Sequence, residues 1–167
     1  AIYRDPPQDP WNGTLRDEKG EPAILGHTPG VISIHPGVYN AEKRLRGMDW
    51  PSTALTMIGG LRMRNLRNCV VKAIEDGIPG DLIETGVWRG GACIYMRAIL
   101  EAYGVTDQTV WVCDSFAGLP KPSTAEDKSD WHHLVELLTV PLEKVIENFE
   151  LCGVDHTNQT RFLPGWF

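Results

Sequence analysis

The chain has 167 residues, of which 42% are hydrophobic and 23% charged, and its 22 acidic and 16 basic side chains give a formal net charge of −6. This size and composition favour one compact domain and argue against a disordered or fibrous protein. A negative charge without a basic stripe argues against nucleic acid or an anionic membrane surface as a partner.

The cysteines and the start of the chain predict a cytoplasmic location. None of the four cysteines forms a C-x-x-C pair or a zinc-knuckle spacing. The first residues have no cationic head followed by an apolar stretch, and nowhere do about 18 apolar residues run consecutively. We therefore expect free thiols and a reducing compartment.

The first 50 residues are rich in proline and show no sustained helical or alternating pattern. We interpret 1–50 as an arm or lid in which 30–35 alternates like a short edge strand. Trp11, Tyr39 and Trp50 could pack onto the body of the protein. A solvated tail is an equally good interpretation of this segment.

A long helix is predicted next, because apolar residues recur at helical spacing through 66–74 while basic residues occupy much of the other face. About six turns fit between Ser52 and Asp76. Gly77 supplies a left-handed position and Pro79 cannot continue the helix. We expect the basic face to be exposed to solvent.

The following segments read as a β-α-β unit. A short strand at 80–85 leads into a glycine turn at 86–91 and an apolar-periodic helix at 92–103. A second strand at 109–113 is closed by Asp114. A right-handed crossover between the two strands implies that they are parallel.

The rest of the chain continues the same alternation. A polar loop at 121–133 precedes a helix with a buried stripe at 142–149, and a third strand is predicted at 160–163. The sequence therefore predicts an α/β fold with parallel strands.

The glycine turn is the first candidate for a binding site. A strand–glycine turn–helix lets a ligand approach the backbone, and the free amides of the helix face it. The pattern here is E-T-G-V-W-R-G-G rather than G-x-G-x-x-G, and the carboxylate of Glu84 would repel a pyrophosphate. A cationic ligand such as S-adenosylmethionine would instead be attracted.

Asp114 is the second candidate, since it ends the second strand 28 residues after Gly86. From that place an acid accepts hydrogen bonds from the two ribose hydroxyls of a nucleoside. A cap on the following loop is the alternative role. We expect Glu84 and Asp114 to flank one common pocket.

These residues resemble the macrocin O-methyltransferase family of S-adenosylmethionine- and metal-dependent sugar O-methyltransferases from antibiotic pathways. The resemblance rests on four stretches, at 55–59 (LTMIG), 80–92 (GDLIETGVWRGGA), 110–120 (VWVCDSFAGLP) and 161–167 (RFLPGWF). It covers the chain from about Pro51 onward, whereas the first 50 residues match less clearly.

The resemblance implies a class I methyltransferase fold, which is Rossmann-like, with the three parallel strands in spatial order 3-2-1. In this fold Glu84, Thr85, Gly86 and the turn amides would hold the amino-acid end of S-adenosylmethionine. Asp114 would bind its ribose. The other cofactor-binding residues that it implies are Met57 beside the methionine portion, Val87, Trp88, Arg89, Gly90 and Gly91 in the turn, Ser115 and Phe116 beside the ribose and adenine, and Gly165 and Trp166 bordering the adenine.

His132, within Trp131-His132-His133, resembles a histidine near the substrate pocket of the family. It is our candidate for substrate contact or proton transfer. Exposed loop histidines are an equally good interpretation, just as Trp88 and Phe116 read equally well as core aromatics.

In the resembled family, magnesium assists transfer of a methyl group to a sugar hydroxyl, and its ligands lie on strand ends beyond Phe167. We therefore expect 51–167 to be a half-domain that is truncated before the metal-binding strands, with magnesium only in the full-length protein. Such a chain would bind the cofactor weakly, catalyse nothing measurable and tend to associate.

The resulting prediction is an O-methyltransferase fragment whose substrate is a small-molecule glycoside, and which forms a homo-oligomer in its full-length form. A non-catalytic remnant that binds S-adenosylmethionine without the metal site is the main alternative. An NAD-dependent oxidoreductase is disfavoured by Glu84 and by the altered glycine spacing.

Overall fold

The computed structural model describes residues 8–9, 13–16, 19, 33–36 and 39–166. Near the start, β1 (Gln8–Asp9), β2 (Gly13–Arg16) and β3 (Ser33–Pro36) form an antiparallel sheet in that order. Among the described residues β3 lies at one end of this order, and it overlaps the edge strand expected at 30–35. Trp11 lies outside the described residues.

Two helices follow, and they pack on each other through glycine. The first is α1 (Ala41–Arg46). Its N-cap is Asn40, whose side chain accepts a hydrogen bond from the Lys43 amide at 2.9 Å. The second is α2 (Gly59–Glu75). A Cβ on Gly59 would lie 2.6 Å from the Cα of Gly47, so this close approach excludes any larger residue.

The expected start of the long helix is wrong, whereas its end near Asp76 is confirmed. Residues 52–58 are irregular, and α2 begins only at Gly59, whose φ is +75°. This segment bonds to its neighbours through its carbonyls: Arg44 donates to the Met57 oxygen and the Gly91 amide to the Leu55 oxygen, both at 2.9 Å. Tertiary contacts therefore replace the first helical turns.

The second sheet confirms the predicted α/β class. Its elements are β4 (Leu82–Thr85), α3 (Gly91–Ala102), β5 (Val110–Asp114), α4 (Leu142–Leu151) and β6 (Thr160–Pro164). The three strands are parallel in the order β4-β5-β6, as expected. No described helix combines the length and apolar character that crossing a membrane requires.

The core lies on one face of this parallel sheet. Val110 and Val112 of β5 are fully buried against α3 and α4, and Phe149 of α4 meets Phe162 of β6 edge to face at 5.9 Å. The Asn148 side chain donates to the Arg89 carbonyl at 2.9 Å. This bond ties α4 to the glycine turn and fixes the turn above the sheet.

Candidate functional site

A cavity of about 320 Å³ opens at the carboxyl ends of the parallel strands. This is where open α/β sheets bind ligands. Its lining comes from the glycine turn, the loop after β5, the segment before α4 and the end of β6, and consists of Gly86, Trp88, Asp114, Ser115, Gly118, Leu119, Pro120, Leu138, Gly165 and Trp166.

Asp114 lies in this cavity and also holds the glycine turn. Its Oδ2 accepts hydrogen bonds from the amides of Val87 at 2.8 Å and Trp88 at 3.2 Å, and its Oδ1 accepts from the Phe116 amide at 2.9 Å. The sequence assigned the turn amides to the ligand. In the structure these two amides bond to Asp114, so the carboxylate fixes the shape of the turn.

Glu84 lies beside the cavity but is not part of its lining. Burial raises the pKa of Glu84, and the nearby charge of Asp114 adds to the rise. The two carboxylates are thus close enough to repel each other. They do not line one common cavity, which differs from the arrangement that the sequence predicted.

The turn itself contains a residue in an unusual conformation. Trp88 has φ of +51°, a left-handed value that is rare for a bulky side chain. Its indole nitrogen donates to the Leu137 carbonyl at 2.7 Å, and the Arg89 guanidinium lies 4.2 Å from the indole ring centroid. These contacts hold Trp88 in place at the edge of the cavity.

The remaining turn residues lie outside the cavity lining. Thr85 is exposed at the end of β4, and Val87 is buried in the core. Arg89 donates to the carbonyls of Ser52 and Ala54, both at 3.0 Å. Its pKa is lowered by burial.

Close packing explains the glycines at the end of the turn. A Cβ on Gly90 would lie 2.7 Å from Val145, and one on Gly91 would lie 2.4 Å from the Leu55 oxygen. Phe116, by contrast, belongs to the buried core rather than to the cavity lining. The core interpretation of Phe116 therefore fits its position.

Met57 and His132 lie together in a second cavity of about 300 Å³. The residues that line it are Gly47, Asp49, Trp50, Met57, Ile58, Arg62 and His132. The His132 Nδ1 lies 2.6 Å from the Asp130 Oδ1, and its ring stacks on Trp131 at 4.5 Å. The hydrogen bond from the His132 amide lowers the pKa of Asp130.

Sequence reasoning missed four residues of the first cavity, namely Gly118, Leu119, Pro120 and Leu138. A signal existed for Gly118, because a glycine soon after a strand end marks a turn. Its φ is +81°, and an added Cβ would lie 2.5 Å from the Thr139 hydroxyl. Leu138 lines the cavity because of how residues 131–138 fold against the rest of the chain, and no local sequence pattern predicts this.

The model of one known protein family matches most of the chain. The family model described as "Macrocin-O-methyltransferase (TylF)" matches residues 26–167. The chain belongs to the macrocin O-methyltransferase family. The resemblance seen in the sequence is thereby confirmed.

Three curated relatives match most of this chain. It is 49% identical to "8-demethyl-8-(2,3-dimethoxy-alpha-L-rhamnosyl)-tetracenomycin-C 4'-O-methyltransferase" of Streptomyces olivaceus, over 86% of this chain and 56% of that protein. It is 47% identical to "Mycinamicin III 3''-O-methyltransferase" of Micromonospora griseorubida, over 84% and 57%. For "Demethyldecarbamoylnovobiocin O-methyltransferase" of Streptomyces niveus the identity is 49%, over 81% and 53%.

A solved structure supports the same fold. The O-methyltransferase NovP matches with a TM-score of 0.73 and 49% identity, over 77% of this chain and 54% of that one. The chain thus spans about half the length of the curated relatives it matches. Within the part of the chain that the structure describes, no three His, Cys, Asp or Glu side chains are grouped so that they could hold a metal ion.

Proposed function

We propose that the protein is an S-adenosylmethionine-dependent O-methyltransferase that methylates a sugar hydroxyl of a small glycosylated metabolite. The observation that carries the proposal is the cavity at the carboxyl ends of β4, β5 and β6, with Asp114 in its wall. Family membership and the names of the relatives support the reaction and the substrate class.

The residues around the first cavity fit S-adenosylmethionine. Asp114 offers a carboxylate to the ribose hydroxyls, and Trp166 offers an aromatic surface to the adenine. Gly86 leaves open space, since an added Cβ would meet nothing within 4 Å. Glu84 would attract the ammonium group of the bound cofactor, which supplies the methyl group from its sulfonium.

The second cavity is our proposed acceptor site. Met57 and Ile58 give it an apolar wall, and Arg62 and His132 give it polar groups, a combination that suits the mixed surface of a sugar. With a proton on the Nδ1 that faces Asp130, the Nε2 of His132 can accept a proton or a hydrogen bond from a hydroxyl.

Three further expectations from the sequence are also part of this proposal. These are the division into an arm at 1–50 and a half-domain at 51–167, a reducing cytoplasmic compartment and a homo-oligomer. The four free cysteines support the compartment. For magnesium the described residues offer no ligand set, so we assign no step to the ion.

Binding of S-adenosylhomocysteine tests the cofactor site. We expect Asp114→Asn to weaken this binding roughly ten-fold or more, because the charged hydrogen bond to the ribose is lost and because an amide group then replaces one of the carboxylate oxygens that accept from the backbone amides of the turn and of Phe116. Titration calorimetry on the full-length protein measures the effect. Asp107→Asn is the matched control, since Asp107 is exposed in the loop that precedes β5, away from the cavity.

Two results would contradict the proposal. One is unchanged affinity in Asp114→Asn, and the other is a wild-type protein that does not bind S-adenosylhomocysteine. A methyl-transfer assay with a glycoside and magnesium then separates an enzyme from a binding protein. Binding without any transfer would support the non-catalytic alternative.

A further inference from the structure

Cys93 is a buried thiol to which the proposed reaction assigns no role. It lies in the first turn of α3 and is fully buried. Its sulfur lies 3.0 Å from the Oε2 of Glu84, at the end of β4. A helix residue and a strand residue thus meet beside the proposed cofactor cavity.

The thiol is the donor in this contact. Burial raises the pKa of the Cys93 thiol, and the negative charges of Glu84 and Asp114 raise it further. The sulfur therefore keeps its proton and donates a hydrogen bond to the carboxylate. Contacts with the thiol and the amide of Cys93 in turn lower the pKa of Glu84, opposing the effect of burial.

Such a contact restricts the orientation of the carboxylate. A glutamate has three rotatable side-chain bonds, and no other described side chain bonds to Glu84. With Oε2 held by the thiol, the carboxylate has fewer orientations open to it and still has lone pairs that can accept a hydrogen bond from a ligand.

We propose that Cys93 is a positioning residue, which orients the carboxylate of Glu84 so that it receives the ammonium group of the cofactor. This inference rests on the proposed function, because it assumes that S-adenosylmethionine occupies the cavity. It predicts that Cys93 affects recognition of the amino-acid end of the ligand and not of the nucleoside end.

Two probes separate these ends. S-adenosylhomocysteine carries the amino-acid group, whereas 5′-methylthioadenosine lacks it. We expect Cys93→Ala to weaken binding of S-adenosylhomocysteine about five-fold and to leave binding of 5′-methylthioadenosine unchanged, as removal of one hydrogen bond to the carboxylate predicts. Serine keeps a hydrogen-bond donor and is close to alanine in size. We therefore expect Cys93→Ser to recover most of the affinity.

Calorimetry on the full-length protein measures both ligands. Cys113→Ala is the control, because Cys113 is a second buried cysteine that makes no hydrogen bond to Glu84. If Cys93→Ala does not fold, Cys93→Val fills the space without a donor and replaces it in the comparison.

Equal weakening of both ligands, or a serine variant no better than alanine, would mean that Cys93 acts only through packing and would overturn the inference. A wild-type protein that binds 5′-methylthioadenosine but not S-adenosylhomocysteine would also overturn it. A wild-type protein that binds neither ligand refutes the proposed function itself, and the role of Cys93 with it.

Discussion

The surroundings of Glu84 disfavour the charged form of its carboxylate. Its carboxylate is largely buried at the end of β4, with Asp114 near enough to repel it, and the thiol of Cys93 offsets only part of this cost. Folding alone gives no reason for an acid at this position. A ligand cation would supply the missing partner, which is why Glu84 belongs to the proposed site.

The pH dependence of stability follows from this burial. Because the pKa of Glu84 is raised above its ordinary value of 4.5, the folded protein binds this proton more tightly than the unfolded chain does. Its contribution to stability is therefore fully present below pH 4.5 and is lost as the pH rises through the folded-state pKa.

A neutral replacement removes this dependence. We expect Glu84→Gln to be more stable than wild type at pH 7, and the difference to vanish near pH 4, where the unfolded chain is also protonated. Urea unfolding at the two pH values measures it. Glu143→Gln, which changes an exposed glutamate of α4, is the control, and a destabilised Glu84→Gln at pH 7 would contradict the argument.

At the scale of elements, two segments outside the α-helices and strands hold the glycine turn from opposite sides, and the second of them contains two short 3-10 helices. Residues 52–58 receive hydrogen bonds from Arg89 and Gly91, and residues 131–138 accept one from Trp88 through the Leu137 carbonyl. The turn therefore couples the walls of both cavities. Loss of one such bond should loosen a wall without unfolding the sheet.

Trp88→Phe tests this coupling, because it removes the indole donor and keeps an aromatic ring. We expect faster amide hydrogen exchange across 131–138, by about five-fold for a bond of roughly 1 kcal/mol, with little change in β5. Trp111→Phe is the matched control. Its indole donates to the Asp81 side chain near the start of β4, so the exchange of 131–138 should not change.

The parallel unit could be predicted from the sequence, because each step depends on local signals. Apolar strands, a glycine turn and helical periodicity follow one another within 80–113, and the observed elements match them. By contrast, α1 has only six residues, too few to show a period. The late start of α2 depends on the contact between Gly47 and Gly59, which joins residues far apart in sequence.

The edge of the sheet where the first cavity lies could be predicted, but the bonding around it could not. Strand-end acids and glycines indicate this edge, since parallel strands end together. Which carboxylate lines the cavity depends on side-chain geometry: Asp114 accepts from the turn amides, and Glu84 meets the thiol of Cys93. The spacing of residues in the sequence does not show which partner each carboxylate has in the structure.

At the scale of the whole molecule, the sheet presents an open edge and an apolar surface. Among the described residues β4 pairs with β5 alone, so the outer backbone groups of β4 are available to another strand. Ile83, in the middle of β4, is 62% exposed because its side chain points away from the face that α3 covers.

This surface predicts that the 167-residue chain associates with itself. Ile83→Lys should weaken this self-association about five-fold, because a charge on an edge strand opposes pairing with a second copy. Sedimentation velocity across a concentration series measures the dissociation constant. Leu151→Lys is the control, since Leu151 is 79% exposed at the end of α4, away from the edge. Equal effects of the two substitutions would point to general charge repulsion, and a wild-type chain that stays monomeric would show that the edge is not used.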